Sequence, residues 1–372
     1  MERVDVVIVG GGPMGTAAAR ALSSRGRSVI LFERFTFGHG NGSAAGTTRN
    51  VRLTYHDPVY VRMARLAFRG WRDLEADAGT ELLRVVGGLD VGDATDTAAS
   101  ALEAAGERFE RPSIDEVAER WPMLRFPAGA RFLFQAEGAV VRSRDAVLAQ
   151  VRIAVRDGAD LRPETPVRSI ARARDGVEIV TSTGDAVRAA ALILAAGPWN
   201  GPLLRSVGFD LPLQPTLEQS THFERGPEGL PTVIDWTTSP GRPPYLVPDP
   251  FTPGDFKIGI HSSGPPVDPD TRSFDPDPVR ERLARTWLDG LLARPSAPVG
   301  SETCLYTTAP DEDFVLDRVG PVVVASPCSG HGFKFTPLIG AVVADLATGA
   351  APSIPLDRFG VDRDALRRRA PA

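Results

Sequence analysis

Residues 4–15 read VDVVIVGGGPMG, and this stretch decides the fold. The apolar run 4–9 is typical of a strand that is buried on both faces of a parallel sheet. Gly10, Gly12 and Gly15 follow at the spacing G-x-G-x-x-G. Glycines at this spacing let the backbone approach a pyrophosphate, whose charge then lies against a helix N-terminus. The stretch therefore predicts the beginning of a dinucleotide-binding fold.

The next residues support the same prediction. An alanine-rich helix is expected over residues 16–24 and a second strand over 28–32, which ends at Glu33. An acidic residue at this point binds the ribose of a dinucleotide. Since strand, turn, helix, strand and acid all occur in register, a dinucleotide site is favoured over a chance glycine turn.

Composition excludes several classes of protein. A net charge of −5 and dispersed arginines argue against nucleic acid as a partner. Apolar runs are too short to cross a membrane, the first strand leaves no room for a secretory signal, and we recognise no metal-binding motif. We therefore expect a cytoplasmic protein that binds no metal. The two cysteines are expected to be thiols and not a disulfide. The oligomeric state stays open, with a monomer as the working expectation.

A chain of 372 residues predicts two domains, and the order of its elements predicts that they are interleaved. A proline-rich region of short alternating strands after residue 206 is typical of an antiparallel sheet. We assign residues 1–83, 139–205 and 301–372 to the dinucleotide-binding domain and residues 84–138 and 206–300 to a substrate domain.

The lysines are unusual. Of 42 basic residues only Lys257 and Lys334 are lysines, and both stand between apolar residues. Lysine is a compact point charge whose pKa moves on burial, whereas arginine stays charged and presents a wide planar fork. Either a composition bias has left two lysines that extend along apolar surface, or two positions require a lysine for function.

Several segments, in this order, resemble the monomeric sarcosine oxidase family of FAD-dependent amine oxidases, within the D-amino-acid-oxidase-like group. They are residues 10–15 with Glu33, 42–52 (GSAAGTTRNVR) with Tyr55, 195–199 (AAGPW), 256–261 (FKIGIH), 304–307 (CLYT) with Asp311 and Asp317, and 329–335 (SGHGFKF). The resemblance extends over essentially the whole chain. It implies an α/β protein in which a Rossmann-type FAD-binding domain is interleaved with an antiparallel-sheet α+β substrate domain.

The resemblance also implies the residues that bind FAD. They are Gly10, Gly12, Gly15, Glu33, Arg34, Ser43, Thr48, Cys304, Gly330, Gly332, Phe333 and Lys334. Cys304 matches the cysteine that the family links covalently to the flavin 8α-methyl group; the alternative is a small buried hydrophobic residue. Cys328 matches no such position, and a packed cysteine is the favoured interpretation there.

Catalytic and substrate-binding roles follow from the same resemblance. Lys257 matches the lysine that activates oxygen, where a fixed buried cation stabilises the developing superoxide. Arg49 would face the flavin and stabilise its anionic reduced form. Arg52 and Lys334 match the pair that holds the substrate carboxylate. Two buried cations repel each other without such an anion, so we favour ligand binding over packing for this pair.

Some positions allow two interpretations or depart from the family. His261 is either a catalytic residue or a hydrogen-bonded strand histidine. Tyr245 matches, loosely, a tyrosine that lines the substrate pocket. Ala44 and Ala45 stand where the family commonly has a histidine, which leaves more room and makes sarcosine itself doubtful as the substrate. His222 has no assigned role.

The sequence predicts an FAD-dependent oxidase of a secondary or cyclic amino acid, which forms an imine and reduces O2 to H2O2. The alternative within the family is a biosynthetic flavin-dependent desaturase or dehydrogenase of a bulky cyclic amine or amino-acid intermediate. An NAD(P)-dependent dehydrogenase is disfavoured because it would not need Cys304 or the segment 330–334. A flavin hydroxylase is disfavoured because we find no G-D-A-x-H-type segment near the C-terminus.

Overall fold

The computed structural model describes residues 1–238, 241–294 and 296–367. The helices of these ranges are α1 (Pro13–Ser23), α2 (Pro58–Ala78), α3 (Ala94–Ala104), α4 (Ile114–Arg120), α5 (Ser143–Arg156), α6 (Asn200–Ser206), α7 (Pro278–Leu291) and α8 (Thr336–Thr348). The strands are β1 (Glu2–Val9), β2 (Val29–Phe32), β3 (Thr48–Val51), β4 (Leu83–Val85), β5 (Gly88–Val91), β6 (Phe132–Gln135), β7 (Ala139–Arg142), β8 (Asp160–Arg162), β9 (Val167–Ala173), β10 (Gly176–Thr181), β11 (Ala186–Leu194), β12 (Gln214–Phe223), β13 (Thr232–Asp235), β14 (Pro244–Pro248), β15 (Phe256–Ile260), β16 (Pro298–Thr308), β17 (Val315–Val319) and β18 (Val322–Ser326).

The first sheet is built around β1, as residues 4–15 predict. Strand β1 lies parallel to β2 and β11, and the sheet continues in the order β17-β18-β11-β1-β2-β8. The hairpin of β9 and β10 attaches to β11. Residues 6–9 are buried, because helices cover one face of the sheet and the hairpin packs on the other. This is a Rossmann-type arrangement.

Glycine contacts fix the position of α1. A Cβ on Gly15 would lie 1.8 Å from the carbonyl oxygen of Gly10, so only glycine fits where α1 leaves the sheet. A Cβ on Gly340 would lie 2.4 Å from the Cβ of Ala17, so α8 crosses α1 at backbone contact distance. Helix α1 is therefore held between the sheet and α8.

The second sheet has the order β16-β12-β15-β14-β13-β5-β6, and its neighbours are antiparallel except for β13 and β5. Successive residues of a strand point to opposite faces. One face packs against α4 and α7 through a core that includes Phe223, Phe256 and Ile258. Lys257 and Cys304 lie on the other face, which lines a cavity.

The predicted α/β fold with an antiparallel second sheet is confirmed. The predicted boundary at residue 301 lies inside β16, and this strand pairs with β12 along its length. The chain therefore returns to the first sheet only at β17. A small third sheet has the order β3-β7-β4. No helix in the described ranges is long and apolar enough to span a membrane.

Replacing Gly340 by alanine is expected to lower the free energy of unfolding. The added Cβ would force α1 and α8 apart, at a cost of about 1–3 kcal/mol that exceeds the gain of about 1 kcal/mol in helix propensity. Gly290→Ala in α7 is the control, because nothing lies within 4 Å of its Cβ position, and it should stabilise the protein by up to about 1 kcal/mol. Denaturant unfolding measures the free energy of unfolding of both variants. Equal stabilisation by the two substitutions would show that α1 and α8 separate without cost.

Candidate active site

A continuous cavity of about 630 Å³ is lined by residues of both large sheets and of the segments that connect them. Gly12 and Glu33 line it from the first sheet, Lys257 and Cys304 line it from the second, and Lys334 lines it from the segment before α8. Residues that are far apart in sequence therefore line one cavity.

The part of the cavity beside β1 fits a dinucleotide. Both oxygens of the buried Glu33 carboxylate are engaged, since Gly11 N–H donates to Oε2 (2.6 Å) and Phe35 N–H donates to Oε1 (2.8 Å). Gly12 precedes α1 without a side-chain cap, and nothing lies within 4 Å of its Cβ position. The first N–H groups of α1 thus form an anion site, close to a carboxylate that suits ribose hydroxyls. Arg34 lies at the rim, paired with Asp270.

Arg49 is held by backbone oxygens. Its guanidinium donates to the carbonyl oxygens of Ser43 (3.2 Å), Ala45 and Thr48 (2.8 Å), and it lies 6.0 Å from the ring centroid of Phe333. Carbonyl groups have no net charge, so these contacts fix the guanidinium without neutralising it. A fixed positive charge at this position suits an electron-rich cofactor.

Lys257 is 5% exposed, and its Nζ donates to the carbonyl oxygen of Thr48 at 2.7 Å. Burial lowers the pKa of Lys257 to about 7, and Arg49 acts in the same direction, whereas Glu302 raises it. Burial alone would raise the pKa of Glu302, but His222 and Lys257 hold it at about 2. The carboxylate of Glu302 is therefore charged at neutral pH.

Lys334 is also buried. Its Nζ donates to Tyr55 Oη (2.9 Å) and to the carbonyl oxygen of His331 (2.7 Å). Burial lowers the pKa of Lys334 well below its ordinary value, and the positive charge of Arg52 acts in the same direction. An anionic ligand beside these two cations would reverse that shift, because it favours the charged form of lysine.

Asp90 is an anion that the sequence analysis missed. It is 2% exposed in β5, and its Oδ1 lies 3.2 Å from Arg52 Nη1 and accepts from Trp236 Nε1 at 3.0 Å. The sequence pointed to a bound carboxylate as the anion that Arg52 and Lys334 share, and the structure adds a protein carboxylate, Asp90, beside Arg52. Nothing in the sequence near Asp90 indicates the contact, since it depends on how β5 pairs within the second sheet.

His261 and Tyr245 line the same cavity. The ring of His261 lies 5.6 Å from that of Tyr306. Burial lowers the pKa of His261 to about 4, and the charges of Arg52 and Lys334 act in the same direction. His261 is therefore neutral at physiological pH and cannot act there as a charged acid.

Both cysteines are free thiols that line the cavity. Burial raises the pKa of Cys304, whereas the charges of Arg49 and Lys257 act to lower it. The Sγ of Cys328, which was expected to be simply packed, accepts the N–H of Thr307 at 3.3 Å.

A tight turn brings Lys334 to the cavity. Gly330 has a φ of +75°, and a Cβ there would lie 2.5 Å from the ring of Tyr306. A Cβ on Gly332 would lie 1.6 Å from the carbonyl oxygen of Pro327. Only glycine fits at either position, so the spacing between these two glycines and Lys334 is set by sterics.

The structure thus brings the predicted residues together. Those that line the cavity are Gly10, Gly12, Glu33, Arg34, Ser43, Arg49, Arg52, Tyr245, Lys257, His261, Cys304, Gly330, Gly332, Phe333 and Lys334. Gly15 instead packs on Gly10, and Thr48 contributes its carbonyl oxygen to Lys257. Glu302 was missed, although a signal exists: it stands two residues before Cys304 in a strand, and such residues share a face.

The fold and the cavity are those of a dinucleotide-binding protein with a Rossmann-type domain. The chain matches the sequence model of the family described as FAD dependent oxidoreductase over residues 5–346, and it belongs to that family. It is 31% identical over 386 residues to the monomeric sarcosine oxidase of Arthrobacter sp. (strain TE1826), with 98% of this chain and 97% of that protein covered. The monomeric sarcosine oxidase of Bacillus sp. (strain B-0618) is also 31% identical, over 379 residues, with the same coverage. The predicted membership of this family is confirmed.

A solved structure supports the same family assignment. The open form of NikD, described as an unusual amino acid oxidase essential for nikkomycin biosynthesis, has a TM-score of 0.87 and 27% sequence identity. The comparison covers 97% of this chain and 98% of NikD. The protein is therefore an FAD-dependent oxidoreductase that is similar to amino acid oxidases over its whole length.

Asp90→Asn is expected to lower the free energy of unfolding by about 3 kcal/mol, because it leaves the charge of Arg52 without its buried partner. Benzoate, a small carboxylate, should then raise the melting temperature of this variant more than that of the wild-type protein. The control is Asp93→Asn, whose side chain is 93% exposed and whose effect should stay within about 0.5 kcal/mol. Equal stability of the two variants would contradict the prediction.

Proposed function

We propose that the protein oxidises the C–N bond of a secondary or cyclic amino acid to an imine. In the balanced reaction the substrate loses two electrons and two protons, and O2 gains them to give H2O2. The observation that supports this function best is the pair of buried lysines, which different elements hold at the cavity. Lys334 lies with Arg52 and suits a substrate carboxylate, whereas Lys257 lies on the second sheet and suits the anion that develops from O2.

The residues present fit FAD as the cofactor. The uncapped start of α1 at Gly12 suits the pyrophosphate, Glu33 suits the ribose, and Arg49 offers a fixed positive charge for the reduced flavin. When bound, FAD supplies the electron acceptor for the amine and the electron donor for O2.

The cations of the cavity also act on the substrate amine. Positive charges near an ammonium group favour its neutral form. Arg52 and Lys334 both line the cavity. In this proposal they lower the pKa of the bound amine while they hold its carboxylate. A neutral amine is the form that can release a hydride equivalent from the α-carbon.

The second candidate is a biosynthetic desaturase of a bulky cyclic amine or amino-acid intermediate. Ala44 lines the cavity and occupies little of it, which favours a substrate larger than sarcosine. The similarity to NikD, an oxidase of a biosynthetic pathway, supports the same candidate. The two candidates differ in substrate size and in the acceptor that restores the oxidised cofactor.

The function is tested by mixing the FAD-loaded protein anaerobically with N-methyl and cyclic amino acids of increasing size, and with amines that lack a carboxylate. Bleaching of the flavin absorbance should require a carboxylate, and admission of air should yield one H2O2 for each substrate oxidised. Bleaching without subsequent H2O2 would favour the desaturase.

Lys334→Met should weaken the binding of carboxylate ligands by roughly 2–5 kcal/mol, the range for truncating one partner of a buried charge pair. Spectral titration with benzoate measures this affinity. Amines without a carboxylate form the control, because they lack the group that Lys334 would bind. Equal loss of affinity for both ligand classes would mean that Lys334 only supports the pocket.

We propose further that the FAD is attached covalently through Cys304. Denatured, acid-precipitated protein should then stay yellow, and its mass should exceed the sequence mass by one flavin. Cys304→Ala should fold but release its FAD on denaturation, because no second bond holds the cofactor. Cys328→Ala is the matched control, since Cys328 is a free thiol that lines the same cavity, and it should keep the flavin attached. Release from both variants, or from neither, would contradict Cys304 as the linkage.

A further inference from the structure

Three ionisable residues on neighbouring strands of the second sheet share the face that points towards the cavity. His222 of β12 stands directly opposite Lys257 of β15. Glu302 of β16 stands opposite Ser220, which is two residues before His222 on the same strand. Because side chains two residues apart share a face, these polar groups form one cluster on the sheet.

The carboxylate of Glu302 is fixed within this cluster. Its Oε1 lies 3.0 Å from His222 Nε2, accepts from Ser220 Oγ at 3.4 Å, and lies 4.0 Å from Lys257 Nζ. The loop before β3 closes over it, since a Cβ on Gly46 would lie 2.2 Å from the same oxygen. Two strands and a loop therefore hold one negative charge beside the buried lysine.

The carboxylate of Glu302 opposes the effects that lower the pKa of Lys257. Burial and Arg49 both lower the pKa of Lys257, whereas Glu302, Cys304 and Asp249 raise it, with Glu302 the strongest of the three. With the pKa of Lys257 at about 7, the loss of one nearby anion decides whether the amine is charged at physiological pH. His222 contributes indirectly, because it keeps Glu302 ionised.

We propose that Glu302 is a positioning residue that keeps Lys257 protonated, and that it thereby sets the pH range over which the protein can reduce oxygen. The predicted effect on the pH range of oxygen reduction rests on the proposed oxidase function. The effect on the charge of Lys257 does not, since it follows from the arrangement of this chain's own residues.

The charge of Lys257 can be measured directly because the chain has only two lysines. The FAD-loaded protein labelled with [ε-¹³C]lysine should give two ε-carbon resonances, and Lys257→Met identifies the one that belongs to Lys257. A pH titration then gives the midpoint at which Lys257 loses its proton. In Glu302→Gln this midpoint should fall by about one pH unit or more, as expected for the loss of a charge 4.0 Å away.

Two further variants separate charge from structure. Glu302→Asp keeps the charge but moves it back by one methylene, so its midpoint should lie between those of the wild type and Glu302→Gln. Glu281→Gln is the matched control: Glu281 of α7 accepts from Ser301 Oγ at 2.8 Å, behind the sheet, and its loss should leave the midpoint unchanged. An unchanged midpoint in Glu302→Gln, or an equal fall in Glu281→Gln, would overturn the proposal.

Stopped-flow measurement of flavin reoxidation by O2 tests the proposed effect of Glu302 on oxygen reduction. The rate should fall as pH rises through the Lys257 midpoint, so the fall should begin at lower pH in Glu302→Gln, and acidification should restore the rate. Below the Lys257 midpoint, where the wild type carries the charge, Lys257→Met should be slower by about 10²–10³-fold, and the difference should shrink as pH rises above the midpoint. If Lys257→Met reoxidises normally while the resonance of Glu302→Gln shifts as expected, the oxidase proposal fails and the effect on charge stands. If Lys257→Met is slow but the profile of Glu302→Gln matches the wild type, the role of Glu302 fails alone.

Discussion

The burial of several basic side chains in one cavity is the constraint on which the candidate active site depends. Four basic side chains, Arg49, Arg52, Lys257 and Lys334, line one cavity, and burial disfavours the charged form of each lysine. The protein holds each cation with a different partner. Carbonyl oxygens bind Arg49, carboxylates face Arg52 and Lys257, and Tyr55 with a carbonyl oxygen binds Lys334. Arg49 and Arg52 can therefore both be charged in the same cavity. Lys334 has only neutral partners, and a small anion beside it would favour its charged form.

The interleaved chain is what makes this arrangement possible. Arg49 lies on the small sheet, Lys257 lies on the antiparallel sheet, and Lys334 lies beside the helix that packs on α1. The carbonyl oxygen of Thr48 accepts from both Arg49 and Lys257, so one peptide group connects two of these elements. Neither large sheet could form the site by itself, and the cavity exists only after the two have packed together.

Local patterns in the sequence were enough to predict the fold, but they did not predict which distant side chains contact each other. The glycine spacing and the apolar run predicted β1, α1 and β2 to within a few residues, since each depends on neighbours in sequence. The rarity of lysine identified Lys257 and Lys334. Asp90 was missed because its contact with Arg52, 38 positions away, depends on how the strands pair. Glu302 was missed because its position two residues before Cys304 indicates its face of the strand but not its distance from Lys257. The boundary at 301 was placed inside β16 because its alternating residues do not reveal which sheet the strand joins.

The burial of both lysines has a consequence for the chemistry of the protein surface. Since both lysines of this sequence are buried, it presents no exposed lysine side chain to amine-directed reagents. Cross-linkers, biotin esters and reducing sugars that modify most proteins at many places would therefore react with this one at very few. Lys257 and Lys334 can be modified only by reagents that enter the cavity, so the rate of such a modification measures how readily a small molecule from solution can enter.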